Sequence, residues 1–547
     1  MTDRVIVIGA GMGGLAVAIR LAASGHNVRV LETQPAAGGK MRTLPSAAGL
    51  VDAGPTVLTM RHVFDDLFAA AGTRLDDHVT LERQHLLARH FWPDGSTLDL
   101  WDDPDRSAEA VRAWGGARAE AEFRRFSARA KRLFEAFDAP MMQTPKPELA
   151  RLVAHVLRHP RILFDMGPGS LAGALRGAFR EPRLRQLFGR YATYVGGSPY
   201  RVPAVLGLIW HAEASGVWRV RGGMHKLAEA MAALAEALGA EIAYGTSVAR
   251  IEVQEGRVAA AITAEGTRHA ARHIVFNGDP KALTDGLLGP AAQRAITRKA
   301  VAPRSLSAHV FAFAAVPEIA LGRPDLAYHN VFFGAEPERE FRPLEKGRMP
   351  EDPTVYVCAE DRGGGAPAPG TLERFEIIMN APPTGATATS EEEIETCPTR
   401  IWDRLAASGL TFSPPPSRAA LTTQAGFHRL FPGSDGSLYG RSPHGMMAAF
   451  ARPTAKTALP GLILAGGGAH PGAGIPMATL SGKHAAAAIG SAQTSTSASR
   501  PTATPGGMST GSPTMAPKPS RSSPSSVPSS RLGTAGPAAK TRPTTAA

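Results

Sequence analysis

The sequence predicts an α/β fold with a Rossmann-like dinucleotide-binding domain, on three observations. One is a strand–turn–helix–strand pattern, VIVIGAGMGGLAVAIRLAASGHNVRVLE, from Val5 to Glu32. Another is a glycine-rich stretch near the opposite end of the chain, LILAGGGAHPGAGIPMATLSG, from Leu462 to Gly482. The last is the return of glycine-rich turns after each intervening segment, as a sheet assembled from distant pieces requires.

Val5 to Ile8 is a short apolar run suited to a buried parallel strand. Gly9, Gly11 and Gly14 follow as G-x-G-x-x-G, with Ala10 and Gly13 inside the turn. The three glycines serve a tight turn, close approach of a pyrophosphate to backbone N–H groups, and packing of helix on strand. Leu15 to Ala23 is the helix, Ser24-Gly25 ends it, and Asn27 to Leu31 is the second strand. Glu32 closes that strand, placed to accept hydrogen bonds from ribose hydroxyls.

Next come Gly38-Gly39-Lys40-Met41-Arg42 and Asp52-Ala53-Gly54-Pro55-Thr56. Two glycines followed by two cations suit a second loop over the pyrophosphate, with Lys40 or Arg42 offsetting phosphate charge. A simple nicotinamide domain has no use for such a loop. The plain alternative is a surface turn with solvated cations.

VIGAGMGGLAVAIRL, GGKMRT and DAGPT, with the C-terminal GGGAHPGAGIP, resemble the bacterial-type phytoene desaturase family of carotenoid dehydrogenases. Arg190 to Met231 keeps the family's order of features: a GG-P turn, an apolar helix, then GVW and RGGM. The resemblance reaches about residue 490. It implies a fold like that of amine oxidases and GDP-dissociation inhibitors, with FAD as cofactor. It also implies that FAD is bound by Gly9, Ala10, Gly11, Gly13, Gly14, Glu32, Gly39, Lys40, Arg42, Gly54, Pro55, Thr56, Val248, Gly467, Gly468, Gly474, Ile475 and Pro476. The run GGKMRTLPSAAGLVDAGPTVLT is most similar to the 1-hydroxycarotenoid 3,4-desaturase branch, which acts in spheroidene and spirilloxanthin synthesis in purple phototrophic bacteria. The implied substrate is an acyclic 1-hydroxy or methoxy carotenoid such as hydroxyneurosporene. A phytoene desaturase or a carotenoid isomerase of the same family is the alternative. A prenyl-lipid carrier of the GDP-dissociation-inhibitor class is a more distant one.

The FAD-binding domain is expected from three segments, 1–105, 219–285 and 425–490. The first includes a hairpin through Arg89 to Gly95. The second carries an amphipathic helix from Gly223 to Leu238 and a hairpin of Ser247 to Gln254 with Arg257 to Ala264. Between them lie a helical insertion, 106–218, and an α+β substrate domain, 286–424. The latter shows strands at Ser307 to Ala314 and Thr354 to Ala359, and a helix opened by a capping box, Ser390 to Glu393.

Within the insertion, Ala150 to Arg190 carries eight arginines against Asp165 and Glu181, interleaved with large aliphatics. That pattern suits helices lying on an anionic membrane surface; a solvated helical face packed on the core is the alternative. No run of eighteen uncharged apolar residues predicts a span. With the first strand at the very start of the chain and only Cys358 and Cys397 as thiols, a cytoplasmic protein is expected, peripherally attached to the inner or intracytoplasmic membrane.

Residues 491–547 are Ser, Thr, Pro, Ala and Gly with six basic residues and no acid. Such a segment cannot bury enough surface to offset the entropy of ordering. It supplies half of the net charge of +12, so that charge is no argument for a nucleic-acid partner.

Desaturation removes a hydride and a proton from adjacent carbons, and a bound flavin supplies the hydride acceptor. The electron acceptor is then oxygen or a quinone. The sequence offers no obvious base: His470 reads first as a structural loop histidine and only secondarily as a proton acceptor, with His211 and Glu213 weaker candidates still. Gly472 to Pro476 is expected to feed a helix N-terminus aimed at the flavin. Metal-ligand spacing is absent from the sequence.

Overall fold

The structure is a computed structural model describing residues 4–387 and 391–497. Ser390 of the expected capping box, and the tail from residue 498 on, lie outside the described residues.

Arg4–Ile8, Asn27–Leu31, Glu241–Ala243, His273–Phe276 and Leu462–Leu464 form a five-stranded parallel sheet. The order places Arg4–Ile8 at the centre, between His273–Phe276 and Asn27–Leu31, with Leu462–Leu464 and Glu241–Ala243 at the edges. The inner strands are apolar on both faces because helices cover both faces of a parallel sheet. Val5, Val7 and Val28 pack with the helices Met12–Ala23 and His225–Ala237, while Ile6, Ile8 and Ile274 face a separate cluster. The first helix starts at Met12, earlier than the apolar period alone predicts, because Gly13 and Gly14 lie inside it. The hairpin Val248–Gln254 with Arg257–Thr263 turns at Glu255 and Gly256, both at positive φ.

A second, eight-stranded sheet is mixed. Its centre is antiparallel: Ser307–Ile319 pairs with Glu373–Ala381, which pairs with Val355–Ala359, then His329–Phe332. The hairpin of Leu86–Phe91 and Thr97–Trp101 joins this sheet's edge rather than the parallel sheet, pairing Asn330 with Arg89. One face carries Phe311, Phe313, Phe375 and Ile377 under the helix Glu391–Ala407, through Ile401 and Leu405. The other face turns toward Val51, Ala53 and the helical segment.

That helical segment starts with Pro104–Phe137, whose Asp103 caps the backbone N–H groups of Asp105 and Arg106. The described residues end with the helix Ile475–Ser497, which runs past residue 491, where the sequence composition changes. None of the described helices is long and apolar enough to cross a membrane.

Candidate active site

The glycine turns converge at the carboxyl ends of the three inner parallel strands, where open α/β sheets bind their ligands. The Gly38 N–H donates to the Ala10 carbonyl at 2.9 Å, and a bridge pairs Gly11 with Gly38. The space is too tight for side chains. A Cβ on Gly13 would lie 2.5 Å from the Gly466 nitrogen, and one on Gly14 2.1 Å from the Gly9 carbonyl oxygen. A Cβ on Gly39 would sit 3.1 Å from the Gly11 Cα, and one on Gly54 2.1 Å from the Lys40 carbonyl oxygen. Gly468 is closed in by Pro280 at 2.3 Å, whereas Gly467 has nothing nearer than 3.7 Å.

Glu32 is buried at the end of its strand. One carboxylate oxygen accepts from the Ala10 N–H at 2.6 Å, and the other from the Gln34 N–H at 2.8 Å. Each oxygen keeps a lone pair for a further donor. Val248 opens its strand two residues after Thr246, whose N–H donates to the Glu32 carbonyl at 2.8 Å. The first helix has Gly11 at its N-cap and no side-chain cap, so its leading N–H groups remain available to an anion. Open N–H groups, a glycine cradle and a buried acid fit the pyrophosphate and ribose of a dinucleotide.

Gly474 precedes the closing helix, which begins at Ile475-Pro476. Gly482 packs that helix onto the first, where a Cβ would lie 2.7 Å from Ala16 and from the Gly13 carbonyl. Ser481 Oγ accepts from the Gly466 N–H at 2.6 Å.

Lys40, Arg42 and His470 have partners within the chain. Lys40 Nζ donates to the Leu438 carbonyl at 2.7 Å, and burial lowers its pKa to about 8. Arg42 donates to Thr422 Oγ1 at 2.5 Å and lies over Phe427, 5.7 Å from the ring centre. Both cations thus tie the second loop to residues 422–438, each with further N–H donors to spare. His470 is likewise engaged. Its Nε2 contacts the Thr144 carbonyl at 2.9 Å, it stacks on His484 at 5.8 Å, and burial lowers its pKa to about 4. A ring so held is a neutral structural histidine.

Sequence reading missed Asn277. It follows the strand His273–Phe276, donates from Nδ2 to the Gly9 carbonyl at 3.2 Å, and leaves its buried Oδ1 without a partner. The signal was available: Asn-Gly directly after an apolar strand, at the end where such sheets bind ligands. Asp52 of DAGPT serves the fold, accepting from the Met224 and His225 N–H groups at 2.5 and 3.2 Å.

Beside Thr56, the polar face of the large sheet comes into the site. Glu376, Cys358 and His329 align across adjacent strands. Burial, then the charges of Glu360 and Asp52, push the Glu376 carboxyl well up, and both its oxygens lack a partner. Tyr356 O–H contacts Thr56 Oγ1 at 2.7 Å and His329 Nδ1 at 2.6 Å. Glu213 accepts from the Tyr191 and Tyr194 hydroxyls at 2.7 and 2.8 Å. His211, only half-buried, stays near Ser215 and Phe134.

The profile of flavin containing amine oxidoreductases matches residues 12–306. The chain belongs to that family. It is 55% identical to a hydroxyneurosporene desaturase of Cereibacter sphaeroides over 89% of this chain and 98% of the relative. A hydroxyneurosporene desaturase of Rubrivivax gelatinosus is 42% identical over 94% and 98%. Among solved structures, an oxidoreductase from Methanosarcina mazei superposes with a TM-score of 0.55 at 16% identity, over 88% of this chain and 99% of that one. With the profile match, that likeness shows the fold of the amine oxidoreductase family.

Proposed function

We propose that this chain is an FAD-dependent carotenoid desaturase that introduces a C–C double bond into an acyclic 1-hydroxy or methoxy carotenoid such as hydroxyneurosporene. The carrying observation is the 55% identity to a hydroxyneurosporene desaturase over nearly its whole length. When bound, FAD supplies the hydride acceptor, and oxygen or a quinone reoxidises it. The proposed division is FAD-binding segments within 1–105, 219–285 and 425–490, a substrate domain at 286–424 and a membrane-facing insertion at 106–218; that the five parallel strands come from the three FAD-binding segments supports its first part.

The geometry and the family resemblance support these roles for the chain's own residues. Glu32 takes the ribose hydroxyls, Gly9 to Gly14 and Gly39 admit the pyrophosphate, and Gly54 to Thr56 bound the reacting end. Gly467, Gly468 and the Gly474–Pro476 turn close the cradle, and Val248 lies on the Glu32 side. The loss of hydride leaves positive charge that a conjugated chain delocalises, so a strong protein base is unnecessary.

A substrate drawn from a bilayer needs a docking surface. The helices Leu149–Arg158 and Pro160–Met166 offer one: Leu157, Leu163 and Phe164 are 70, 61 and 85% exposed, with Leu149 and Val153 nearly half exposed. Exposed apolar side chains beside Arg151, Arg158 and Arg161 suit an anionic lipid surface.

The test is expression in cells making neurosporene or its hydroxy derivative, followed by pigment absorption and mass. Loss of two hydrogens with a red-shifted spectrum is the expected result. A spectral shift at unchanged mass identifies an isomerase instead.

A further inference from the structure

Cations crowd the loop Ser434 to Arg441, against the second glycine signature. Lys40 Nζ donates to the Leu438 carbonyl at 2.7 Å. Arg304 donates to the Ser434 carbonyl at 3.1 Å and pairs with Asp279. Arg452 donates to the carbonyls of Tyr439 at 3.1 Å, Arg441 at 2.8 Å and Gly467 at 2.7 Å. Arg441 donates to the Lys299 carbonyl at 2.9 Å, and its Nε is buried without a partner. On the far side Lys281 is shared between Asp285 and Asp435. Five cations therefore meet three carboxylates, and among the described residues neither Lys40 nor Arg452 has an ion-pair partner.

Carbonyl oxygens accept these hydrogen bonds but do not cancel the charge, and a cation taken out of water without a counter-charge is costly. Burial lowers the Lys40 pKa to about 8 and the Arg452 pKa to about 10; Asp279 opposes that in both, and Arg304 adds to it. Both are predominantly protonated at pH 7. Such an excess of positive charge is complementary to an anion. Its place in the cradle says which one. The Arg452 Nε is 3.9 Å from where a Cβ on Gly472 would lie, just ahead of the Gly474 turn into the closing helix. The neighbouring Pro453 carbonyl accepts from the His470 N–H at 2.8 Å, and Phe450 packs on Leu133, Phe137 and Leu152 of the helical segment. Arg452 thus lies on the side of the helical segment, where substrate enters under the proposed function. Glu32, by contrast, keeps to Ala10, Gln34 and Thr246.

We infer that Arg452, with Lys40, holds a standing positive charge at the closing side of the cofactor cradle, and that this charge raises the reduction potential of bound FAD. This rests on the FAD-dependent desaturase reading and adds to it the groups that tune the hydride acceptor. A hydride brings two electrons and one proton to FAD, so one negative charge is gained there, while the adjacent carbon of the pigment gives up its hydrogen as a proton. A positive field fixed in place before the reaction favours the charged reduced form over the neutral oxidised one.

The experiment is a reductive titration of the flavin-loaded full chain against a reference dye at pH 7, with flavin occupancy read from absorbance against protein. Arg452→Gln keeps N–H donors for the carbonyls and removes the charge. It is expected to shift the two-electron equilibrium toward oxidised FAD by at least about tenfold, a fall of about 30 mV in midpoint potential. Arg452→Lys keeps the charge and should stay close to wild type. Lys40→Gln, on the other flank of the loop, should shift in the same direction as Arg452→Gln, so the outcome does not hang on the folding of one variant. An unchanged potential in a flavin-loaded Gln variant, or an equal fall in Arg452→Lys and Arg452→Gln, overturns the inference and makes these cations structural. Loss of FAD from both Gln variants overturns it too, because the charge then serves the pyrophosphate. Wild type that binds no FAD instead overturns the desaturase reading, and this inference with it.

Discussion

Gly11 has an ordinary extended backbone, with φ −73° and ψ 172°, so its lack of a side chain is about room and not about conformation. A Cβ there would lie 2.8 Å from Asn277 Nδ2, on the side where the first helix presents its open N–H groups. Gly11→Val is therefore expected to leave a folded protein that purifies with less than a tenth of the wild-type flavin, read from absorbance against protein. Full occupancy in the variant would move the pyrophosphate elsewhere. The glycines and Glu32 were legible because their task fixes both residue type and spacing along one short stretch. Asn277 was not, since it meets Gly9 across 268 residues of chain. Lys40 and Arg42 were legible as cations but not in their partners. Charge and spacing do not reveal which oxygen atoms the fold brings within reach, and here those belong to Leu438 and Thr422.

The helices Leu149–Arg158 and Pro160–Met166 show the same division at the scale of an element. Their period was readable, and Leu149, Val153 and Leu157 recur every four residues on the outward side. Which arginines of Ala150 to Arg190 remain free was not readable, because packing decides it. Arg183 is held by Glu181 and Asp94 and lies 4.3 Å over Trp114, while Arg185 donates to the Phe179 and Arg180 carbonyls. Arg190 is buried. The proposed docking surface accordingly narrows to the two exposed helices. Burying a Leu or Phe side chain contributes roughly 1.5–3 kcal/mol. Leu157→Asp with Phe164→Asp should lower co-sedimentation with anionic vesicles at least about tenfold, while Arg183→Gln with Arg185→Gln should not reduce it. Arg158→Gln with Arg161→Gln should weaken binding at low salt only, as a screened attraction requires. Undiminished sedimentation of the Asp variant would place the docking surface elsewhere.

At the scale of the whole molecule, the building of the parallel sheet from distant segments was foreshadowed by glycine turns, whereas its strand order and the eight-stranded sheet were not. Its central strands are long and apolar on one face, but its edge hairpin, Leu86–Trp101, comes from a segment otherwise committed to the dinucleotide site. Pairings between segments so far apart leave no local trace in composition. Glu360, just after the strand Val355–Ala359, ties the large sheet to the DAGPT segment: its Oε1 accepts from the Asp52 N–H at 2.8 Å, and Asp52 accepts from the N–H groups of Met224 and His225. Burial, then the neighbouring charge of Asp52, raise the Glu360 pKa to about 8, against an opposing pull from Arg374. The unfolded chain releases that proton near the ordinary carboxyl value, about 4.3. Between those values the folded state holds a proton that the unfolded state has lost. The stability due to Glu360 is therefore complete below about pH 4.3 and is lost as pH rises toward 8, by at most about 1.4 kcal/mol per pH unit. Above about pH 8 both states are ionised and the dependence stops. Glu360→Gln keeps the oxygen that accepts from Asp52 and removes the titration. Denaturant unfolding at pH 6, 7, 8 and 9 should show the variant gaining on wild type by about 2 kcal/mol between pH 6 and 8, then holding level. Parallel curves for the two proteins would mean that Glu360 is already ionised in the folded protein at pH 6.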